Sequence, residues 1–270
     1  MGRIAQAFAA KKSPLFIGFT VAGDPDPETS FRAARALIDG GTDILELGVP
    51  FSDPVADGPV IQAADERALA AGTDPDVIFS LVARIRSASE VPIVLLTYYN
   101  TVFRRGAGRF YQEAKEAGVD GILVADMPFE ESDEVTAAAA RTGIDPIFLI
   151  ARTTSDERIQ AISSRAGGYL YLVSVLGVTG ARESVDPESI GLLRRVRGLT
   201  TLPVAPGFGI ATPDHARTFA EAGADGVIVG SAIVRIVEQY KEKPDKMERE
   251  LKSYVTRMKA ALDQPAGELR

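Results

Sequence analysis

A (β/α)8 TIM barrel is the fold this sequence predicts, and three observations predict it. Short apolar runs, too short for helices, recur eight times along the chain. Helical patterns fill the gaps between them. Four of the runs share one punctuation: a helical pattern ends at Gly, one residue follows, and an Asp opens the run. It appears as GGTDILELG (40–48), AGVDGILVAD (117–126), TGIDPIFLIA (142–151) and AGADGVIVGS (222–231). Strand–helix alternation repeated eight times in about 250 residues is the pattern of an α/β barrel. An open doubly wound sheet is the alternative, but its first-turn fingerprint, G-x-G-x-x-G, is missing. GFGIAT has only the first two glycines and follows the seventh strand.

The elements follow in order. MGRIAQAFAAKK reads as a short amphipathic extra helix ahead of the barrel. It lacks the apolar core of a signal peptide and the Ser/Thr of a myristoylation site, so a cytoplasmic protein is expected. PLFIGFTVAG (14–23) is the first strand and 27–40 the first barrel helix. GGTDILELG carries the second strand, followed by helical patterns at 59–71 and 75–88. VPIVLLTYYN (91–100) is the third strand, with a helix at 106–118. Strands four and five lie in 117–126 and 142–151, with helices at 130–142 and 155–165. GYLYLVSVLG (168–177), LPVAPGFG (202–209) and AGADGVIVGS complete the eight. Their helices lie near 187–197, 212–222 and 245–262, and Gly230-Ser231 opens a short extra helix after strand eight. The runs are β-branched and Leu-rich without alternation, as strands covered on both faces should be, and the Gly before each Asp suits a left-handed helix cap. No interior linker or low-complexity segment appears. One domain over 1–270 is expected, with a frayed tail at 264–270.

Composition narrows the chemistry. The chain has 270 residues, 46% of them hydrophobic, and a net charge of −7. No basic run argues for nucleic acid or an anionic membrane. There is no cysteine, which removes disulfides, thiolate metal sites and thiol nucleophiles. No apolar stretch approaches the ~20 residues of a membrane span.

In such barrels the chemistry sits at the carboxyl ends of the strands. The lysines are 11, 12, 115, 241, 243, 246, 252 and 259, and none falls at an expected strand end. A Schiff-base aldolase, which needs a desolvated lysine there, is disfavoured. The one histidine, His215, lies in the first turn of the helix after strand seven and reads as a surface or cap residue. A histidine-built metal aldolase site is excluded.

Carboxylates and tyrosines remain. Glu46 stands between Leu45 and Leu47 on strand two, so it takes the face opposite to theirs. It is either a satisfied structural carboxylate or an inward-facing general acid/base with a pKa raised by desolvation. Asp57, in VADGP, is a turn aspartate that the same loop can aim at Glu46. Asp53, in FSDP, and Asp126, in VADMP, read as loop organisers. A phosphate site is expected between GFG (207–209) and the Gly230-Ser231 helix start, where backbone N–H groups favour an anion. The loop after strand six, LGVTGARESVD (176–186), adds Thr179 and Gly180, and its length suits a lid.

LELGVPFSDPVADGP (45–59) resembles the signature of the tryptophan synthase alpha chain family. LTYYN (96–100), LVADMP (123–128), YLVSVLGVTGAR (171–182), GFGI (207–210) and VGSAIV (229–234) resemble that family in order and spacing, so the likeness spans essentially the whole chain. IARTT (150–154) departs from it, since many members carry proline at the position of Arg152. The resemblance implies cleavage of indole-3-glycerol phosphate to indole and glyceraldehyde 3-phosphate. It implies Glu46 and Asp57 as the catalytic pair, with Tyr171 nearby. Gly180, Gly209, Gly230 and Ser231 would hold the phosphate. Phe19, Leu96, Tyr98, Leu123 and Phe208 would line the indole and glycerol pocket. It also implies no cofactor in this chain, no metal, and an α2β2 assembly with a β chain that carries pyridoxal phosphate and consumes the indole. The partner surface would be the mouth loops, including 51–59 and 98–105.

Two other readings stay open on the residues alone. One is another phosphosugar barrel, such as an isomerase or an indole-glycerol-phosphate synthase; the synthase needs a strand-end lysine acid that the sequence lacks. The other is a non-catalytic barrel that binds a phosphate ligand and activates a partner, against which the presence of both Glu46 and Asp57 argues.

Overall fold

The computed structural model describes residues 1–173, 185–207 and 209–263. All eight expected strands form: β1 (Leu15–Val21), β2 (Ile44–Gly48), β3 (Ile93–Thr97), β4 (Gly121–Val124), β5 (Asp145–Ala151), β6 (Leu170–Val173), β7 (Val204–Pro206) and β8 (Gly226–Val229). They pair in parallel in the order β7-β6-β5-β4-β3-β2-β1-β8. The helices are α1 (Arg3–Ala10), α2 (Pro27–Asp39), α3 (Pro59–Ala70), α4 (Pro75–Arg86), α5 (Tyr99–Arg105), α6 (Ala107–Ala117) and α7 (Asp133–Thr142). They continue as α8 (Asp156–Arg165), α9 (Pro187–Arg197), α10 (Pro213–Glu221), α11 (Ser231–Tyr240) and α12 (Pro244–Leu262).

Helix starts share one grammar. Asp26, Asp74, Asp186 and Thr212 each stand before a proline and accept a backbone N–H of the first turn, at 3.0, 3.0, 3.0 and 3.2 Å for Glu28, Val77, Glu188 and His215. The side chain satisfies an orphan donor while the proline supplies helical φ at no hydrogen-bond cost. One helix departs from the sequence reading. Residues 99–100 end no strand; they begin α5. The aromatic and β-branched run LTYYNTVF reads as extended, but the Asp126 carboxylate accepts the Tyr99 N–H at 2.7 Å and starts the helix.

The Gly-x-Asp punctuation has a double meaning. Gly41, Gly118, Gly143 and Gly223 all have positive φ, at 105°, 104°, 67° and 96°, as left-handed caps. Three of the aspartates then form the same two-point clasp with the preceding strand. The Asp43 N–H donates to the Phe16 carbonyl and its carboxylate accepts the Phe16 N–H, at 2.9 and 2.7 Å. Asp120 does this with Ile93, at 2.8 and 2.9 Å, and Asp225 with Val204, at 2.9 and 3.0 Å. The third clasp joins β7 to β8, the neighbours that share no ladder, and so closes the barrel. Cations gather on each clasp: Lys259 on Asp43, Arg3 and Arg86 on Asp120, Lys11 and Arg197 on Asp225. The departure at Arg152 has a local account as well, since its guanidinium pairs with Glu188 in the first turn of α9.

Leu45 and Leu47 face the barrel–helix layer, among the residues of the larger apolar core. The barrel interior is separate: Leu15, Ile17, Ile44, Val94, Leu123, Ile147, Tyr169, Ala205 and Ile228, floored by Ile4 and Phe8 of α1. The extra N-terminal helix is therefore the plug at the bottom of the barrel. Glu46, two residues beyond Ile44, shares Ile44's inward face.

The closure clasp generates a stability prediction. Asp225→Ala removes one acceptor from Val204 and strands two cations, so it should cost about 3–5 kcal/mol, the scale of breaking a buried ion pair. Asp145→Ala has no such clasp among the described residues and should cost less. Denaturant unfolding of the two variants measures the difference; equal losses contradict the closure role.

Candidate active site

The site grows from the second strand. β2 ends Glu46-Leu47-Gly48, and the chain turns through 49–58 before α3 begins at Pro59. Glu46 lies beside Phe19 of β1 in strand register, on the interior face. It is fully buried, at 0% exposure. One carboxyl oxygen, Oε1, accepts the Tyr169 hydroxyl at 3.2 Å. The other, Oε2, is buried with no hydrogen-bond partner among the described residues. No cation is paired with it among them. Burial is the first cause that raises its pKa, the Tyr169 hydrogen bond opposes, and the Asp57 charge adds to the rise, bringing it to about 8.

Asp57 is held by the third strand. Tyr98, at the end of β3, donates its hydroxyl to Asp57 Oδ2 at 2.6 Å and accepts the Ala56 N–H at 3.1 Å. The Tyr98 ring stacks on Phe51, with centroids 4.9 Å apart, so the same side chain grips the loop at both ends. Gln62 of α3 donates to the Asp57 carbonyl at 2.8 Å. Burial raises the Asp57 pKa, and the Tyr98 hydroxyl opposes by favouring the carboxylate. Tyr171 of β6 is the third member. Burial raises its pKa well above the usual tyrosine range, and the charges of both Glu46 and Asp57 raise it further. Glu46, Asp57 and Tyr171 thus share one electrostatic neighbourhood inside the mouth.

The wall around them depends on missing side chains. A Cβ on Gly48 would meet the Phe19 ring at 2.7 Å, and one on Gly230 would meet it at 3.2 Å. Phe19 fills the space these two glycines leave. A Cβ on Gly207 would meet the Tyr171 ring at 2.6 Å. Gly209 has φ +56°, which favours glycine. Leu123 is buried in the barrel interior, and partly buried Leu96 packs at its upper layer.

Gly230 precedes α11 and Ser231 is its first residue, with no side chain capping the helix start. Its first intrahelical bonds are from the Ile233 and Val234 N–H groups to the Gly230 carbonyl. The N–H groups ahead of them have no helical partner, as an anion site requires. Thr179, Gly180 and Phe208 lie outside the described residues.

The other sequence candidates resolve differently. Asp53 accepts the Ser52 hydroxyl at 2.6 Å within its own loop, and Asp126 caps α5, so both are loop organisers. His215 is buried rather than on the surface, with its backbone N–H accepted by Thr212. Sequence reasoning missed Tyr169, the hydroxyl that meets Glu46. The signal was present: Tyr169 and Tyr171 are two apart in a strand and must share a face.

The family model described as "Tryptophan synthase alpha chain" matches residues 5–263. A tryptophan synthase alpha chain from Methanoregula boonei is 67% identical over 264 residues, covering 98% of this chain and 100% of that one. The one from Methanothermobacter thermautotrophicus is 50% identical over 233 residues, covering 86% of each. Among solved structures, a tryptophan synthase alpha chain from Legionella pneumophila superposes with a TM-score of 0.90 at 36% identity, covering 100% of both chains. A chain of the tryptophan synthase α2β2 complex from Pyrococcus furiosus superposes with a TM-score of 0.86 at 41% identity, covering 92% of this chain and 99% of that one. With the barrel, the strand-two carboxylate and an end-to-end match of this kind, the chain belongs to the tryptophan synthase alpha chain family.

Proposed function

We propose that this chain is the α subunit of a tryptophan synthase and cleaves indole-3-glycerol phosphate to indole and glyceraldehyde 3-phosphate, with Glu46 as general acid/base and Asp57 as the electrostatic anchor. The observation that carries the residue assignment is Glu46 Oε2, a buried carboxyl oxygen with no partner among the described residues. A group placed in that way costs stability unless it is neutral or has a task.

The chemistry needs a proton at indole C3, an acceptor for the proton of the adjacent glycerol hydroxyl, and an anion near the ring nitrogen. With its pKa near working pH, neutral Glu46 can give a proton to C3. That makes C3 tetrahedral and leaves positive charge toward the ring N–H. The C–C bond then breaks as the hydroxyl proton leaves to the Glu46 carboxylate. The bonding pair returns to C3 and restores the aromatic ring, and the hydroxyl carbon becomes the aldehyde. Asp57, held as a carboxylate by Tyr98, stabilises the charge on the indole N–H. Tyr171 packs beside both. Gly209, Gly230 and Ser231 offer backbone amides to the phosphate, together with Thr179 and Gly180. Phe19, Leu96, Tyr98, Leu123 and Phe208 enclose the apolar part of the substrate.

Pyridoxal phosphate belongs to the β chain in this reading, because no lysine of this chain stands at a strand end. Val55 and Phe103 are large apolar side chains exposed at 84% and 64%, on the two mouth segments expected to meet that partner. Indole handed across that surface would stay out of water. A cytoplasmic location is part of the same reading, carried by the likeness of the whole chain to an amino-acid biosynthetic enzyme.

Indole release from indole-3-glycerol phosphate, measured with and without a β chain, tests the activity. Glu46→Gln should abolish release while leaving the fold and ligand binding intact; full activity in that variant contradicts the assignment. Asp57→Ala should slow cleavage about 10²–10³-fold, the scale of losing one preorganised partner; an unchanged rate refutes that role. The acid form of Glu46 is the donor, so kcat/KM should fall as pH rises through about 8. The Asp57 charge helps hold that proton, so the alkaline limb of any residual Asp57→Asn activity should move to lower pH.

A further inference from the structure

Asp65 is a carboxyl that the proposed chemistry does not use. It lies in the second turn of α3, the helix that starts directly after the Asp57 loop, and is only 3% exposed. Its helix neighbours Ile61, Ala64 and Ala68 are also buried, in the apolar cluster with Phe19, Val21 and Val234. A carboxyl in such a place ordinarily has a cation or several N–H donors. Among the described residues Asp65 has neither a hydrogen bond nor an ion pair.

The charges around it make this sharper. Asp57 acts on Asp65 from the loop after β2, and Asp24 from the loop after β1. Asp65 in turn acts on Tyr98, at the end of β3, whose hydroxyl holds Asp57. The nearby cation on its own helix is Arg67, two residues on and so on another face. Arg67 is engaged by Asp24, at 2.7 and 2.9 Å, and by Glu238 of α11 at 3.1 Å. The groups turned toward Asp65 are therefore acidic or phenolic, and the one guanidinium is committed elsewhere.

We propose that Asp65 is a positioning residue for the cleavage reaction, a neutral carboxyl set behind Asp57 so that Asp57 is the one anion of that wall. This proposal rests on the assignment of Glu46 and Asp57 given above. Burial first, then the Asp57 and Asp24 charges, raises the Asp65 pKa to about 8. Below that pH Asp65 keeps its proton and Asp57 meets no like charge from the helix. Above it, a second carboxylate faces Asp57 and repels it, and the loop that Tyr98 and Gln62 hold loses its position. The sign for stability follows. The folded chain binds a proton at Asp65 that the unfolded chain gives up near pH 4, so this contribution is full below that pH and is lost as pH rises through about 8.

The test compares pH profiles of kcat/KM for indole release by the full-length chain with its β chain, in wild type, Asp65→Asn and Asp65→Ser. In wild type both Glu46 and Asp65 lose protons near pH 8, so the alkaline limb should steepen toward a hundredfold loss per pH unit. In both variants only Glu46 remains, and the limb should fall no more than tenfold per unit, whatever its height. Superimposable limb slopes in wild type and variants overturn the proposal. Carboxyl-carbon NMR of the wild-type chain decides the protonation state without any variant: a neutral Asp65 signal at pH 6.5 supports the proposal, and an ionised one overturns it. If Glu46→Gln is inactive while the slopes coincide, Asp65 alone is wrong. If Glu46→Gln is active, the reading of the site itself is wrong.

Discussion

A carboxyl group kept from water at residue 46 is the constraint on which the rest of this structure depends. Glu46 has one hydroxyl donor and one bare oxygen, and no cation offsets its charge among the described residues. Left ionised, such a group would cost several kcal/mol of desolvation. The fold accepts the position because the proton stays on at neutral pH. That is the state a general acid needs. Burial, which is a stability problem, is thus the source of the chemistry.

The barrel supplies the geometry that makes this burial selective. On β2, alternation sends Leu45 and Leu47 to the helix layer and Glu46 to the interior. Below Glu46 the interior is filled by Tyr169, Phe8 and Ile4, with the Phe8 and Tyr169 rings 5.9 Å apart. Water is excluded from beneath, and the only open direction is the mouth. The Asp43, Asp120 and Asp225 clasps fix the strand beginnings at the opposite end, and the last of them closes the ring. Each clasp uses a carboxylate with cations around it. The catalytic end uses carboxyls without cations. The same residue type serves stability at one end of the barrel and reactivity at the other, and the neighbouring charges decide which.

Much of the fold could be read from the sequence, because its signals are local. The left-handed glycine caps, the Asp-Pro and Thr-Pro helix starts and the short non-alternating runs each fix an element by backbone chemistry alone. The exception, α5, turns on a contact from a distant part of the chain: Asp126 reaches Tyr99, 27 residues away, and no window around YYNTVF contains it. The candidate site divides in the same way. Glu46 was legible because a lone glutamate in an apolar strand must choose a face. Tyr98 was legible as a mouth residue, but its grip on both Phe51 and Asp57 needs the folded loop. Tyr169 was within reach of the alternation argument. Asp65 was not, because an aspartate on a helix ordinarily faces solvent, and only the packing of α3 against β1 and α11 buries it.

The central claim is that Glu46 holds a proton at neutral pH because of where the barrel puts it. Infrared difference titration of the wild-type chain, with Glu46→Gln subtracting all other carboxyls, measures that proton directly. The account predicts a protonated carboxyl band that disappears with a midpoint near pH 8. A band lost near pH 4.5, as for a solvated glutamate, would contradict it.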